Sequence, residues 1–288
     1  MKIGVITDTN ACLDYFDYAY EIPILRSIIH LNDEEYIDYE ELTAEAFYAK
    51  IESDSSLIPK TSQPPTLKMV EAYQRMKDLG YTDLIVVTIS EHMSGIYSAF
   101  NVAKKQVEGL NIHVISSNSV AFPQAKMALT AARMASEGKK VDEIIKAITF
   151  IKDNNHIYFA VDTLTYLVKN GRLSNAQGLI GNVLKIKPLL HISKEGKVES
   201  IEKIRTFKKA VDRVIEMFLE ETKSLEIEPF ICHANNLETA KYIEEKIKTL
   251  KPEIKAVFTM PLTPAVGAHA GPKAIGLGYY VKEASRGL

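Results

Sequence analysis

Residues 84–100, LIVVTISEHMSGIYSAF, constrain the fold more than any other stretch of this sequence. An apolar, β-branched run (84–89) breaks at Ser90-Glu91-His92 and Met93-Ser94-Gly95 into a helix-forming segment. A strand without polar alternation must be covered on both faces, the condition of a parallel sheet flanked by helices. Where such a strand turns into a helix, free backbone N–H groups and the helix dipole make a natural seat for an anion. Ser94 adds a hydroxyl at that corner, and Gly95 lets a ligand come close to the backbone. Taken alone, Ser94 serves equally well as a helix N-cap.

Strand–helix alternation continues on both sides of this corner. Residues 2–7 read as a buried first strand ending at Asp8-Thr9-Asn10, where ligands sit in open α/β sheets. Residues 22–39 read as two extended pieces around the turn Asn32-Asp33-Glu34, and Thr43 starts a short helix. The run 59–65 (PKTSQPP) reads as a stiff loop that presents Thr61 and Ser62 ahead of a helix over 67–79. A strand at 111–116 and helices at 124–136 and 141–152 follow, the last with an apolar stripe at Val141, Ile144, Ile145, Ile148 and Ile151. This first part is expected to be a doubly wound, mainly parallel α/β domain.

The chain's 288 residues leave room for about two domains at roughly 150 residues each. The polar cluster 152–155 marks the boundary, giving domains 1–155 and 156–288. The second reads as a strand (156–161), helices at 164–169 and 174–184 separated by Asn170-Gly171, and a hairpin around Lys194-Glu195-Gly196. An amphipathic helix (207–220), strands at 230–233 and 256–260, and a helix at 237–250 complete it. The hairpin predicts a mixed or antiparallel sheet with helices. Residues 263–272, TPAVGAHAGP, read as a glycine- and proline-rich loop carrying His269.

Composition narrows the chemistry. Hydrophobic residues make up 46%, charged residues 25%, and the net charge is −2, which leaves no electrostatic footprint for nucleic acid. No apolar run approaches the ~20 residues of a transmembrane helix, and residues 1–10 read as a strand rather than a cleavable signal, so a cytoplasmic location is expected. Cys12 and Cys232 are isolated, and HExxH, CxxC, Walker A and GxGxxG patterns are absent, so no metal or nucleotide site is indicated. A serine esterase or thioesterase with Ser94, His269 and Asp8 as a triad is one reading. It lacks the G-x-S-x-G elbow, because His92 and Ile96 flank Ser94 at the glycine positions. The other reading is a binding protein for an anionic amphiphile. Thr61, Ser62, Ser94 and the amides at Gly95 hold a carboxylate with Arg205, Arg172 and His269, and the aliphatic helices of 164–184 line a tunnel for an apolar tail.

Eight segments taken together resemble the DegV family of bacterial lipid-binding proteins. They are ITDTNA (6–11), KTSQPP (60–65), ISEHMSGIYSAF (89–100), VISSNSV (114–120), VDTLTYLVKNGRLS (161–174), LKIKPLL (184–190), EGKVESIEKIRT (195–206) and GAHAGPKAIGLGYY (267–280), in family order over essentially the whole chain. The resemblance implies two α/β domains with a long-chain fatty acid between them and its carboxylate at the interface. It implies that the chain is not itself an enzyme, has no catalytic residue, metal or cofactor of its own, and presents the acid to a fatty acid kinase. The kinase subunit would use ATP and Mg²⁺ to make an acyl phosphate. By the same resemblance Thr61 or Ser62, with Ser94 and Gly95, hold the carboxylate. Arg205 and His269 fall near the head group, and Arg172 faces the kinase or orders the mouth of the site. The chain is expected to be a monomer when free of its partner. A regulatory protein with a purely structural lipid stays open beside the carrier. Glu91, His92, Ile96 and Lys273 depart from the family pattern, Lys273 standing where a glycine is usual.

Overall fold

The computed structural model describes residues 2–54, 56–174 and 186–282. Its first half carries strands β1 (Ile3–Asp8), β2 (Ile24–Leu25), β3 (Ile28–Leu31), β4 (Glu34–Ile37), β5 (Lys60–Ser62), β6 (Asp83–Thr88) and β7 (Asn111–Ser116). Interleaved with them are helices α1 (Ala44–Ser53), α2 (Thr66–Asp78), α3 (Ile96–Lys104), α4 (Phe122–Ser136) and α5 (Val141–Asp153). Four strands form a sheet in the order β2-β1-β6-β7, all parallel. Every residue of β6 is buried, as the unbroken apolar run requires.

The period of two along these strands separates two cores. Val5, Ile85 and Val87 point to the side where α4 brings Ala125 and Ala128. Ile6, Leu84 and Val86 point to the other, against Met69, Tyr73 and Met76 of α2 and Ile96 and Phe100 of α3. Helices thus cover both faces, as expected for a doubly wound sheet. A small antiparallel sheet, β4-β3-β5, stands beside it. Here the structure corrects the sequence reading. Thr61 and Ser62 lie on a strand paired with β3, because the prolines at 59, 64 and 65 fall outside it and residues 60–62 keep the amides that a ladder needs.

The second half adds β8 (Asn155–Ala160), α6 (Thr165–Lys169), β9 (Leu189–Ile192), β10 (Val198–Glu202), α7 (Phe207–Glu221), β11 (Ile227–His233), α8 (Leu237–Leu250), β12 (Phe258–Pro261), α9 (Pro264–Ala270) and β13 (Ile275–Val281). Six strands run in the order β10-β9-β8-β13-β11-β12. All neighbours are antiparallel except β11 and β12, so this sheet is mixed. The helix expected over 174–184 lies outside the described residues.

α7 and α8 cover one face of the six-stranded sheet, with Val211, Val214, Phe218, Ile243 and Ile247 against Tyr158, Ile231 and Leu277. The opposite face, with Leu190, Phe230, Cys232 and Tyr280, joins the α4 side of the parallel sheet in one core. Phe122 of α4 is the seam. Its ring centroid lies 4.4 Å from Phe258, 5.2 Å from Phe230 and 5.6 Å from Tyr280. The β9–β10 hairpin adds a clasp, with Ser90 Oγ donating to Gly196 O at 2.8 Å and Asn118 Nδ2 to Lys194 O at 3.1 Å.

Two elements overturn the sequence reading. β13, which the pattern did not suggest, is the spine of the six-stranded sheet between β8 and β11. Its glycines look like loop residues, but a Cβ at Gly278 would come within 2.2 Å of the Phe230 ring. The run 263–272 is largely a helix, α9, rather than a loop. Pro264 suits the first helical turn, and Gly267 leaves room for Tyr48, whose hydroxyl would lie 2.3 Å from a Cβ there. Among the described residues no helix is long and apolar enough to cross a membrane.

Candidate functional site

Asp8 ties together the carboxyl ends of the two central parallel strands. Its Oδ2 accepts from Ile89 N at 2.9 Å, and its Oδ1 accepts from Asn10 N at 3.0 Å and Asn10 Nδ2 at 2.7 Å. Complete burial raises its pKa, and these bonds oppose the rise. Beyond Ile89 the chain turns through Ser90, whose carbonyl accepts from Met93 N at 3.0 Å and Ser94 N at 3.2 Å. Ser94 is thereby held just before α3, and its Oγ accepts from Ile96 N at 3.4 Å. Gly95 follows it, and a Cβ there would lie 2.8 Å from Gln63 Oε1.

The facing wall comes from β5 and α9. Thr61 Oγ1 lies 2.8 Å from His269 Nε2, while His269 Nδ1 is buried with no hydrogen-bond partner. Burial, with the nearby Arg172 charge, pulls the imidazole pKa down to about 4, so the ring is neutral near pH 7. Asp38 holds the start of α9. It accepts from Ala265 N at 3.4 Å and from Thr9 Oγ1, and burial pushes its carboxyl up to about 7.

Arg172 joins the two walls. Gly171 adopts φ +66° after α6, and the turned chain lets Arg172 Nε donate to Met93 O at 2.8 Å and Nη1 to Asn170 O at 2.6 Å. Asn170 Nδ2 in turn donates to Pro59 O at 3.2 Å and Ala268 O at 3.0 Å. The segments bearing Ser94, Thr61 and His269 are therefore laced to one another by the residues that follow α6.

These walls enclose a cavity of about 310 Å³ between the two large sheets, within the size range of small-molecule sites. Thr61, Ser62, Ser94, Gly95, Arg172 and His269 all line it. Gln63 completes the polar part, and Ile89, Ile157, Phe159, Leu167, Ile192 and Val198 supply apolar wall. Cys232 also lines it, and burial pushes its thiol up to about 12, so it stays protonated and acts as a small apolar group.

The structure does not bring every expected residue together. Arg205 is exposed, in the segment between β10 and α7, and is not among the cavity's lining residues. That segment leads into α7, where Thr206 caps Lys209 N. Of the tunnel expected from 164–184, Leu167 and Arg172 reach the wall, and 175–185 lie outside the described residues. Nor is a triad of Ser94, His269 and Asp8 assembled, because Asp8 bonds to Asn10 and Ile89 while His269 bonds to Thr61. Gln63, Val266 and Gly276 line the cavity without having been singled out. Gln63 was legible in the TSQP run, but Gly276 carried no signal apart from β13. Among the described residues no group of three His, Cys, Asp or Glu could hold a metal ion.

A family model described as "Uncharacterised protein, DegV family" matches residues 2–282. A DegV domain-containing protein of Staphylococcus aureus is 34% identical over 283 residues, 97% of each chain. One of Clostridium acetobutylicum is 30% identical over 277 residues, covering 96% of this chain and 98% of the relative. The structure superposes on DegV, a fatty acid binding protein from Bacillus subtilis, with a TM-score of 0.84 at 31% identity, covering 98% of this chain and 100% of that one. A fatty acid binding DegV family protein from Streptococcus agalactiae gives 0.88 at 28% identity, with the same coverage.

Proposed function

The chain belongs to the DegV family, and from that premise we propose that it is a carrier of a long-chain fatty acid, whose carboxylate sits between Ser94, Thr61 and Arg172. The observation that carries this reading is the cavity itself. Hydroxyls, helix-start amides and a guanidinium line part of its wall, and aliphatic and aromatic side chains line the rest. An amphiphile with one anionic head matches both. The solved relatives from Bacillus subtilis and Streptococcus agalactiae are described as fatty acid binding.

Thr61 is a better carboxylate ligand than Ser62. Successive residues of a strand point to opposite faces, and Thr61 turns toward buried His269 while Ser62 turns toward His30. His30 lies 3.3 Å from the Glu35 carboxylate, whose charge opposes a second carboxylate nearby. Each hydrogen bond to the charged head contributes about 1.5–3 kcal/mol, and each buried methylene about 0.8 kcal/mol. The tail therefore dominates affinity, and the polar groups set which end stays near the mouth.

The carrier acts in the cytoplasm and hands its acid to a separate fatty acid kinase. ATP and Mg²⁺ are bound by that partner. The donors that hold the carboxylate also suit an acyl phosphate, so phosphoryl-transfer chemistry is left to the kinase. Titration of delipidated protein with a long-chain fatty acid tests the binding step. Saturable one-to-one uptake supports it, and no uptake at any accessible concentration overturns it.

A further inference from the structure

The carboxylate site leaves one cluster at the mouth of the cavity without a role. Ser62, on β5, lines the cavity and is exposed to solvent. Its Oγ lies 2.7 Å from His30 Nε2, and His30 Nδ1 lies 3.3 Å from Glu35 Oε1. The strand register explains the arrangement. His30 pairs directly with Glu35 across β3 and β4, while Ile28 pairs with Ser62 across β3 and β5. Side chains of Ile28, His30, Ser62 and Glu35 thus share one face, with Ser62 on the diagonal to His30.

A hydroxyl on an imidazole whose other nitrogen faces a carboxylate is the order of groups that activates a serine. With Glu35 drawing the imidazole proton to Nδ1, Nε2 is free to accept from Ser62 O–H. Gln63, the next residue, lies against the start of α3, as the 2.8 Å approach to a Cβ at Gly95 requires. Gly95 and Ile96, at the start of α3, line the same cavity as Ser62. Ser94, by contrast, accepts from Ile96 N and has no imidazole on it among the described residues.

We propose that Ser62, His30 and Glu35 form an acyl-transfer site, by which the protein hydrolyses an activated long-chain acyl group (a thioester or ester) whose tail occupies the cavity. The proposal rests on the carrier reading for the place of the tail. Ser62 Oγ forms a bond to the acyl carbon as its proton passes to His30 Nε2. The bond from that carbon to the leaving group then breaks, and the leaving group takes the proton from His30. Water, deprotonated by the same imidazole, attacks the acyl-serine, and Ser62 recovers the proton. The net change is one activated acyl group and one water converted to a fatty acid and the leaving group. Ser62 and His30 are catalytic residues in this scheme, and Glu35 is a positioning residue.

The full-length protein is assayed with p-nitrophenyl decanoate, beside Ser62→Ala, His30→Gln and Glu35→Gln variants checked for wild-type circular dichroism. Release of p-nitrophenolate is expected to fall about 100-fold or more in Ser62→Ala and His30→Gln. Glu35→Gln is expected to lower kcat about tenfold with KM unchanged, a split that a merely structural role does not produce. A long-chain alkyl fluorophosphonate should label Ser62, located by peptide mass. A wild-type rate within about threefold of Ser62→Ala, or label on another serine, overturns the proposal. Uptake of decanoic acid is measured in the same preparation. Protein that takes up the acid without turning over the ester loses only the acyl-transfer site, and protein that does neither loses the carrier reading with it.

Discussion

Thr61 Oγ1 and His269 Nε2 lie 2.8 Å apart, although 208 positions separate them in the chain. This bond joins a strand of the first half to a helix of the second, at the wall of the cavity both halves enclose. It also leaves the threonine hydroxyl with a neutral imidazole for a neighbour, since burial keeps His269 uncharged. The polar part of the cavity wall is therefore held by a contact between the two halves of the chain.

Thr61→Val keeps the shape of the side chain and removes the hydroxyl. Losing one hydrogen bond to a charged head is expected to weaken fatty acid binding by about 1.5–3 kcal/mol, roughly 10- to 100-fold. Calorimetric titration of delipidated wild-type and variant proteins measures it. Equal affinities would place the carboxylate elsewhere.

His269 and Asp38 drive stability in opposite directions with pH. The folded-state pKa of His269, about 4, lies below its ordinary 6.5. The unfolded chain thus binds more protons in that window, and the contribution, full above 6.5, is lost as pH falls to 4. For Asp38 the folded value of about 7 lies above 3.8. Its contribution is full below 3.8 and is lost as pH rises through 7. Each change spans about 3–4 kcal/mol. Relative to His269→Gln, the wild type should lose stability between pH 7 and 4. Relative to Asp38→Asn, it should lose stability between pH 4 and 7. Urea unfolding at several pH values reads both differences, and parallel curves for wild type and variants would contradict the assignments.

Much of this architecture was legible in the sequence where side-chain pattern and burial agree. The run at 84–89 announced a strand buried on both faces, and β6 is one. Thr43 announced a helix start, and its side chain caps α1. The failures share a cause. Pro264 and Gly267 were read as signs of a loop and the segment of Gly276 and Gly278 was not read as a strand, yet the three glycines sit in regular elements because neighbouring side chains or backbone occupy the space a Cβ would need. That demand comes from tertiary neighbours such as Tyr48, Ile157 and Phe230, which no local window contains. Ser62 with His30 was hidden similarly, since strand register, not spacing, brings them together. Arg205 was chosen as a cation for the carboxylate, by its charge and by resemblance, and the structure leaves it exposed outside the cavity wall.

Gly276 lines the cavity, and a Cβ there would lie 3.1 Å from Ile157 Cδ1. Gly276→Ala should therefore shorten the space for the tail and shift the bound lipid toward shorter chains. Each methylene excluded costs about 0.8 kcal/mol, close to fourfold in affinity. The chain-length profile of lipid extracted from wild type and variant tests this, with unchanged profiles counting against it.

Lys273 has φ +61°. A left-handed conformation costs an L-residue roughly 1–2 kcal/mol. Part of that is offset because glycine loses more backbone entropy on folding. Lys273→Gly should raise stability by about 0.5–1 kcal/mol in urea titration. A drop in stability would show that the lysine side chain contributes more than its backbone costs.

Everything proposed for the cavity depends on its holding a fatty acid by the carboxylate. Mass spectrometry of the purified protein, first native and then after organic extraction, tests it most directly. One long-chain fatty acid per chain is expected, with occupancy reduced in Ser94→Ala and Thr61→Val. A protein that is empty as purified, and that takes up no added fatty acid, would contradict it.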